Sequence, residues 1–278
     1  MAIFPWFGNR EQERRQAYQN WAAKHSEWMY RDLMDRKLYQ RYKFLKSLQL
    51  GFGTYAIDVF EGQWSNYISK AFTVRYAVII HNGIGPQVQI YHRSVVLIHA
   101  PSTLPSLSIR PAGLLHRLGL HRSSVASQSR EFDQRFVVQT TDPEFADDCL
   151  SETVMQYFLR SAQIELEVNQ DVLALYQEGR LQVDSIEPCL KLLSGIAPLA
   201  EAASVIQRDL EQLEKINPTA TESEKIAYAN DAVEPELKKR VIAALKAGGE
   251  AVIDEFFLQD KYLKVVKAVV KGWLQPND

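Results

Sequence analysis

The chain has 278 residues, of which 46% are hydrophobic and 24% charged, a composition typical of a globular protein with one sizeable core or two smaller ones. Its formal net charge of -2 and isoelectric point near 6.3 give no overall basic signal, so no nucleic-acid partner is expected. The start of the chain lacks the apolar core of a signal peptide, and no apolar run approaches the roughly 20 residues of a membrane-spanning helix.

Two cysteines, Cys149 and Cys189, lie far apart in the sequence. Each stands among apolar residues in a segment predicted to be helical, so both are expected to be buried free thiols. Free thiols favour a reducing compartment, and we therefore predict a cytoplasmic protein.

The first nine residues are apolar and aromatic, and arginines follow them. One interpretation is a tail that docks on the body of the protein. A second is an interfacial anchor that places the protein peripherally at an anionic membrane surface. The second interpretation predicts a set of membrane-contact residues: Ile3, Phe4, Trp6, Phe7, Arg10, Arg14 and Arg15.

Residues 11–48 are predicted to be rich in helix, and their basic residues outnumber their acids. Within residues 36–46 the basic side chains alternate with Tyr39, Tyr42 and Phe44, a mixture that proteins binding single-stranded nucleic acid use. The same mixture is typical of a solvated helix with its aromatic side chains turned inward. We favour the second interpretation because nothing else in the chain supports nucleic-acid binding.

Strands are predicted next, at residues 55–60, 71–81 and 88–100, with Glu61-Gly62 as the first turn. Asn82-Gly83 signals a hairpin whose loop the following residues lengthen. Pro101 is predicted to end the third strand, and residues 107–110 are predicted to form a short edge strand.

Residues 123–159 are predicted to form a strand, a turn, a second strand over residues 136–140 and then a helix. Asp142 is the predicted N-cap of that helix and Pro143 its first residue. The apolar side chains of residues 154–159 fall on one helix face, which we expect to pack on the sheet.

The pattern V-x-S-x-S-x-E-F-D-x-x-F-x-V from Val125, followed by D-P-x-F-A from Asp142, resembles the DUF3137-like family of bacterial proteins. Gln128 stands where the family usually has an acidic residue, and Asp133 stands where it has asparagine. The resemblance covers about residues 21–193 and implies a fold and a bacterial lineage. The family has no established activity, so the resemblance implies no catalytic residues.

After this stretch, a second hairpin is predicted over residues 164–176, and helices follow to residue 216. Thr221 to Glu224 form a predicted capping box, and Pro235 opens a further helix that ends at Gly248-Gly249. Two more helices are predicted after it, the last one capped by Asp260 and ending at Gly272.

The block from residue 218 to residue 278 is similar to a helical module found at the ends of otherwise unrelated bacterial proteins, often ones suspected of signalling or defence roles. Gly248-Gly249-Glu250 and Lys271-Gly272-Trp273 carry this similarity. A module attached to different proteins implies recruitment of a partner, whereas a helical cap that completes the core is the plainer alternative. The predicted partner-binding residues are Lys238, Lys239, Phe256, Phe257, Tyr262 and Trp273.

Motifs for common chemistries are absent from the sequence: it has no phosphate-binding glycine loop, no nucleophile elbow and no zinc-binding pattern. A metal site made of His81, His92 or His99 with a carboxylate is a weaker hypothesis than ordinary hydrogen-bonded histidines. Glu131 and Asp133 resemble an acid–base pair, but nothing supplies a nucleophile or an oxyanion hole. No catalytic, cofactor-binding or metal-binding residue is therefore predicted, and no cofactor is expected.

Taken together, these patterns predict an α+β protein with an N-terminal helix, a mainly antiparallel β-sheet backed by helices, and a C-terminal helical unit. The predicted divisions are a basic helical segment (1–50), an α+β core domain (51–193), a connecting helix (194–217) and a helical module (218–278). The favoured function is a non-catalytic adaptor that recruits a protein partner or self-associates through its C-terminal helices. Alternatives are a peripheral membrane-surface protein and an enzyme whose pocket sequence does not reveal.

Overall fold

The structure, a computed structural model, describes residues 6–42, 45, 51–81, 83, 85–113, 125–127, 129–161, 163–248 and 263–274. It confirms the predicted α+β class, with a mainly antiparallel six-stranded sheet, an N-terminal helix and C-terminal helices. The strands are β1 (Met29–Arg31), β2 (Phe52–Trp64), β3 (Tyr67–His81), β4 (Pro86–Pro111), β5 (Phe136–Thr140) and β6 (Ile164–Glu178). Helices before β6 are α1 (Trp6–Lys24), α2 (Arg36–Arg41), α3 (Arg130–Arg135), α4 (Pro143–Cys149) and α5 (Glu152–Arg160). Helices after it are α6 (Val183–Ile216), α7 (Glu222–Ala232), α8 (Pro235–Gly248) and α9 (Leu263–Leu274).

Neighbouring strands follow the order β1-β2-β3-β4-β5, and β6 pairs with β4. The β3–β4 ladder is the longest regular one, with paired residues from Ile68 and His99 to His81 and Pro86 and no shift of register. Contacts divide the chain into two compact units, each made of two separate stretches. The first unit comprises Met1–His99 and Ala174–Lys191, and the second comprises Ala100–Leu173 and Leu192–Asp278.

An aromatic cluster holds α1 in the first unit. Tyr18 and Trp21 lie on one face of α1, and both rings contact the ring of Phe60 on β2, at centroid distances of 5.2 and 5.5 Å. Trp28 and Tyr30 complete the cluster. The N-terminal segment is rich in helix, as predicted, and the chain after α1 also forms the short strand β1, paired with β2.

Two predicted strand ends in the first half of the chain are wrong. Glu61-Gly62 lies inside β2, and the chain turns instead at Ser65 and Asn66, whose φ angles of 49° and 69° are those of a tight hairpin turn. Pro101 does not end β4, which continues to Pro111 and pairs there with β5. Pro101 and Pro105 lie between the part paired with β3 and the part paired with β5, so neither ladder needs the missing N–H group.

Residues 125–140 depart from the predicted strand-turn-strand. Residues 130–135 form the short helix α3, because the Ser129 hydroxyl accepts the Phe132 N–H and caps a first turn that carries two acids. The second predicted strand is confirmed as β5, and the following helix is split into α4 and α5, the latter capped by Ser151. Phe132, Phe136 and Phe158 pack their rings together in the second unit.

The predicted hairpin at residues 164–176 is also wrong, because these residues form the single strand β6. Gln170 takes a left-handed conformation, with φ of 58°, and absorbs the irregularity within the strand instead of reversing the chain. The long helix α6 then runs through Pro188 and Pro198 without ending. Cys149 and Cys189 are buried free thiols, as predicted.

In the second unit the C-terminal half of α6 packs with α7, α8 and α9 around a shared apolar core. The predicted capping box of α7 is confirmed, with Thr221 and Glu224 each accepting a hydrogen bond from the other's backbone. Pro235 begins α8 as predicted, whereas α9 passes through Gly272 to Leu274. The helix predicted between α8 and α9 and the Asp260 cap that follows it lie outside the described residues.

Candidate functional site

A buried carboxylate, that of Asp58, lies at a bulge in β2. Asp58 is only 3% exposed and has a left-handed backbone, with φ of 54°. The register between β2 and β3 shifts between Ile57 and Phe60, so Asp58 belongs to a bulge. A left-handed conformation is costly for most residues but tolerated by aspartate, and the bulge turns this carboxylate into the interior.

Two arginines and a second acid complete a cluster of charges around Asp58 in the first unit. The Arg180 Nε lies 3.7 Å from the Asp58 Oδ2, and Arg180 Nη1 donates to the Glu11 Oε1 at 2.7 Å. Arg14 pairs with the same Glu11. Asp58 Oδ2 accepts no hydrogen bond from the part of the chain that the structure describes. Two acids and two bases therefore neutralise one another, but the geometry at Asp58 itself is poor.

The pKa directions follow from burial and from these charges. Burial raises the pKa of Asp58, and the attraction of Arg180 and Arg14 only partly offsets that effect. Burial, with the nearby Asp58 charge, also raises the pKa values of Tyr18 and Tyr30. Burial, with repulsion from Arg180, Arg75 and Arg14, lowers the pKa of His92 to about 4.

The cluster lies beside hydrogen bonds that hold α1 on the sheet. Tyr18 of α1 donates to the Leu181 carbonyl at 2.5 Å, and the Leu181 N–H donates to the Thr73 hydroxyl of β3 at 3.1 Å. With Arg180, these bonds fasten α1 to β2 and β3, so the cluster has a structural role.

Histidines and acids elsewhere have ordinary structural roles. His99 shares a hydrogen bond with the Tyr42 hydroxyl, and His25 contacts the Trp21 carbonyl. The Asp133 carboxylate accepts the Ser127 N–H at 2.9 Å, and Glu131 lies 3.8 Å from Arg135. Within the described ranges, no three His, Cys, Asp or Glu side chains are grouped to hold a metal ion.

The predicted membrane-contact residues divide into three groups. Ile3 and Phe4 lie outside the described residues, and Trp6 and Phe7 begin α1. Arg14 belongs to the Asp58 cluster, and Arg15 pairs with Asp32 at 2.9 Å. Arg10 is exposed. Arg14 and Arg15 are therefore held by acids of the protein, and lipid contact by this segment stays a prediction.

The predicted partner-binding residues also divide. The Trp273 indole donates to the Asn230 side chain at 2.7 Å, and Lys238 Nζ lies 5.7 Å from the centre of the Trp273 ring. These two residues thus contribute to the internal packing of the helices. Lys239 is exposed and pairs with Glu236. Phe256, Phe257 and Tyr262 lie outside the described residues.

The helical part of the second unit contains a buried ion pair of good geometry. Glu201 on α6 is 2% exposed, and the Arg240 guanidinium of α8 donates to both of its carboxylate oxygens, at 3.2 and 2.9 Å. Helix α6 is long and apolar enough to cross a membrane by length and composition, but 65% of its most apolar window is buried in the protein. Its residues Leu199, Ile206 and Leu210 belong to the helical core.

An exposed apolar surface, which the sequence analysis did not single out, lies at the far end of β3 and β4. We call residues 76–81 and 86–91 the β3–β4 ribbon. Ile79 pairs with Val88, Ala77 pairs with Ile90, and Phe52 of β2 pairs with Ala77 on the other side. Paired residues share a sheet face, so four exposed apolar side chains form one patch: Phe52, Ile79, Val88 and Ile90. The available signal was the lack of any Asp, Glu, Lys or Arg in residues 76–91.

Comparisons with known proteins leave the family open. No family model matches the chain, and no curated protein matches it. Among solved structures, the crystal structure of the mycobacterial trehalose monomycolate transport factor A is similar, at 14% identity and a TM-score of 0.44. The match covers 66% of this chain and 92% of that one, and no functional conclusion is drawn from it. The resemblances to the DUF3137-like family and to the bacterial helical module stay predictions.

Proposed function

We propose that the protein is a non-catalytic interaction protein, an adaptor whose C-terminal helices recruit a protein partner. One observation carries the proposal: the C-terminal half of α6 forms, with α7, α8 and α9, a helical bundle with its own apolar core. Leu199, Ala229, Val241 and Val266 are among the side chains that fill that core. A bundle that adds no strand to the sheet offers helix faces to another protein.

Exposed positions on this bundle define where a partner has access. On α8 the side chains of Glu236, Lys239 and Ala243 are exposed and lie three or four residues apart, so they share one outward stripe. Tyr228 on α7 is an exposed aromatic residue. Aromatic residues are enriched where protein partners bind, and lysine and alanine are depleted there, which favours Tyr228 over Lys239 and Ala243 as a contact position.

Removing residues 218–278 would be a poor test, because it would uncover the apolar residues that α6 contributes to the shared core. Site-specific crosslinking in the full chain avoids this problem. A photoreactive phenylalanine is introduced singly at Tyr228, Lys239 and Ala243, with the exposed Glu131 of α3 as the matched control. Each variant is irradiated in lysate of the source organism, and the crosslinked proteins are identified by mass spectrometry.

The proposal predicts one partner that crosslinks to positions on α7 or α8 and not to Glu131. A second copy of the chain, recovered at those positions, supports the self-associating form of the same proposal. Crosslinks from Glu131 alone would contradict recruitment by the helices, and equal crosslinks from every position would indicate nonspecific contact. A cytoplasmic location accompanies the proposal as a prediction.

A further inference from the structure

The β3–β4 ribbon extends past its neighbouring strand. Strand β2 pairs with β3 only as far as the Phe52–Ala77 pair, whereas β3 and β4 stay paired to His81 and Pro86. Val78 to His81 pair with β4 and lie beyond the last residue pair that β3 forms with β2. On one face of this extension Ile79 is 51% exposed and Val88 63% exposed.

Charge is absent from the ribbon and appears only at its base. Between residues 76 and 91 the sequence has no Asp, Glu, Lys or Arg. Arg75 and Arg93 stand just outside this range. Burial and the Glu178 charge raise the pKa of Tyr76, and the Arg93 charge lowers it. On the face of Arg75, burial and repulsion by Arg180, Arg75 and Arg14 lower the pKa of His92. The base of the ribbon thus carries an arginine on each face, Arg75 on one and Arg93 on the other.

Tyrosines separate the apolar end from Arg93 on one face of the ribbon. Tyr76 and Tyr91 are paired across the strands, and their rings stack at 5.6 Å. On that face the order from the end of the ribbon inward is aliphatic, then tyrosine, then arginine. This order matches the depth profile of a lipid interface, where aromatic rings lie at headgroup level and cations meet the phosphates. On the opposite face Tyr55 is paired with Arg75, and the Arg75 guanidinium lies 5.3 Å from the centre of the Tyr55 ring.

We propose that the β3–β4 ribbon binds the surface of anionic membranes, with Ile79, Val88 and Ile90 in the interfacial region and Arg75 and Arg93 near the lipid phosphates. The five residue pairs beyond the tyrosines span about 17 Å at ~3.3 Å per residue. That length is well short of the ~30 Å hydrocarbon core, so the ribbon lies in the interface and does not cross it.

This surface is different from the one predicted at the N-terminus, and it suits lipid better than a second copy. Two copies packed through the ribbon would bring their arginine-bearing bases into one assembly, whereas an anionic surface neutralises those bases. Membrane binding by the ribbon does not depend on the adaptor proposal, because its residues belong to the first unit and the recruiting helices to the second.

The test is flotation of the full-length chain with vesicles of phosphatidylcholine alone or with about a quarter phosphatidylglycerol. We expect binding to the anionic vesicles and weaker binding to the neutral ones. In the variant Ile79→Ser plus Val88→Ser, partitioning should fall by about tenfold or more, because two side chains lose their transfer out of water. Arg75→Ala should weaken binding to the anionic vesicles only.

The matched control is Met29→Ser plus Met34→Ser, because these side chains are 63% and 73% exposed in the same unit but lie off the ribbon. This variant should bind vesicles like the unaltered chain. An environment-sensitive fluorophore on Val88→Cys should shift to the blue with anionic vesicles. Cys149 and Cys189 are buried, so the label goes to the introduced thiol.

Several results would overturn the proposal. The first is no binding to either vesicle, and the second is binding that the Ile79/Val88 variant keeps. Loss of binding in Trp6→Ala plus Phe7→Ala, with binding kept in the ribbon variant, would assign the contact to the N-terminal segment instead. Concentration-dependent dimers in sedimentation velocity that the ribbon variant abolishes, without vesicle binding, would identify a second copy as the occupant.

Discussion

Each unit of this protein buries a carboxylate, and the two units compensate the buried charge differently. Glu201 in the second unit lies in the middle of a helix and receives two hydrogen bonds from Arg240. Asp58 in the first unit is a left-handed bulge residue, and the Arg180 Nε lies 3.7 Å from its Oδ2. Both side chains are almost fully buried, at 2% and 3% exposure. Burial alone therefore does not say whether a charge is well compensated, because hydrogen-bond geometry decides that.

The sharpest way to test this comparison is to remove the better partner. Arg240→Met leaves the Glu201 charge buried without its two donors, and we expect the free energy of unfolding to fall by about 3–5 kcal/mol. Urea unfolding followed by circular dichroism measures it. The matched variant Glu201→Leu plus Arg240→Met should regain most of the loss, because no buried charge is left. A loss below about 1 kcal/mol in the single variant would mean that the pair is not a compensated buried charge.

The equivalent change in the first unit should lower the free energy of unfolding by a smaller amount. Arg180→Met removes the nearer cation from Asp58, but Arg14 also stabilises that carboxylate, and a proton can neutralise it. We expect a loss of about 1–2 kcal/mol at neutral pH, shrinking as the pH falls. Thermal unfolding at several pH values measures it. If Arg180→Met proved as damaging as Arg240→Met, the poor geometry at Asp58 would not reflect weak compensation.

Asp58→Asn should have a smaller effect of opposite sign. The pKa of Asp58 is raised in the folded protein, so the folded state holds the proton more tightly than the unfolded state. Stability therefore falls as the pH rises from the unfolded pKa through the folded one. Asparagine tolerates the left-handed backbone and has no charge to bury, so the variant should gain about 1 kcal/mol or less at neutral pH. The gain should vanish in acid, and a loss at neutral pH would contradict it.

The smallest effect is expected at Glu11, which pairs with both Arg14 and Arg180 at the surface. The two arginines lower the pKa of Glu11, so its stabilisation exists above the unfolded pKa and is lost as the pH falls through the folded one. Glu11→Gln should cost less than about 1 kcal/mol at neutral pH and less still in high salt. A salt-independent loss would indicate packing instead of charge, and Glu13→Gln on the same helix is the control.

These charge clusters also show which features the sequence could predict. The capping box of α7 and the proline start of α8 were predicted correctly, because their residues lie within one turn of each other. The Asp58 cluster was missed, because Glu11, Arg14, Asp58 and Arg180 meet only through tertiary packing. The hairpin predicted at residue 170 failed for a related reason: pairing with β4 outweighed the turn propensity of Asn-Gln-Asp.

The exposed ribbon illustrates the same limit on the functional side. Alternating apolar residues in β3 correctly predicted a strand. The open patch lies on the face of Ala77 and Ile79, and whether a sheet face is covered depends on tertiary packing that the alternation does not show. The absence of charge in residues 76–91 was visible in the sequence but has no structural meaning until the face is known to be open.

The division of each unit into two separate stretches has a consequence for biosynthesis. Leu181 accepts the Tyr18 hydroxyl and donates to Thr73, so the first unit reaches its final bonding only when a segment far along the chain has been made. At ~5–20 residues per second, a ribosome needs roughly 4–15 s to synthesise the 74 residues from Ala100 to Leu173 that separate the two stretches of the first unit. During that interval α1 and the first strands wait without their closing segment. Chaperones that shield apolar strands on nascent chains would therefore meet this protein midway through translation rather than at its end.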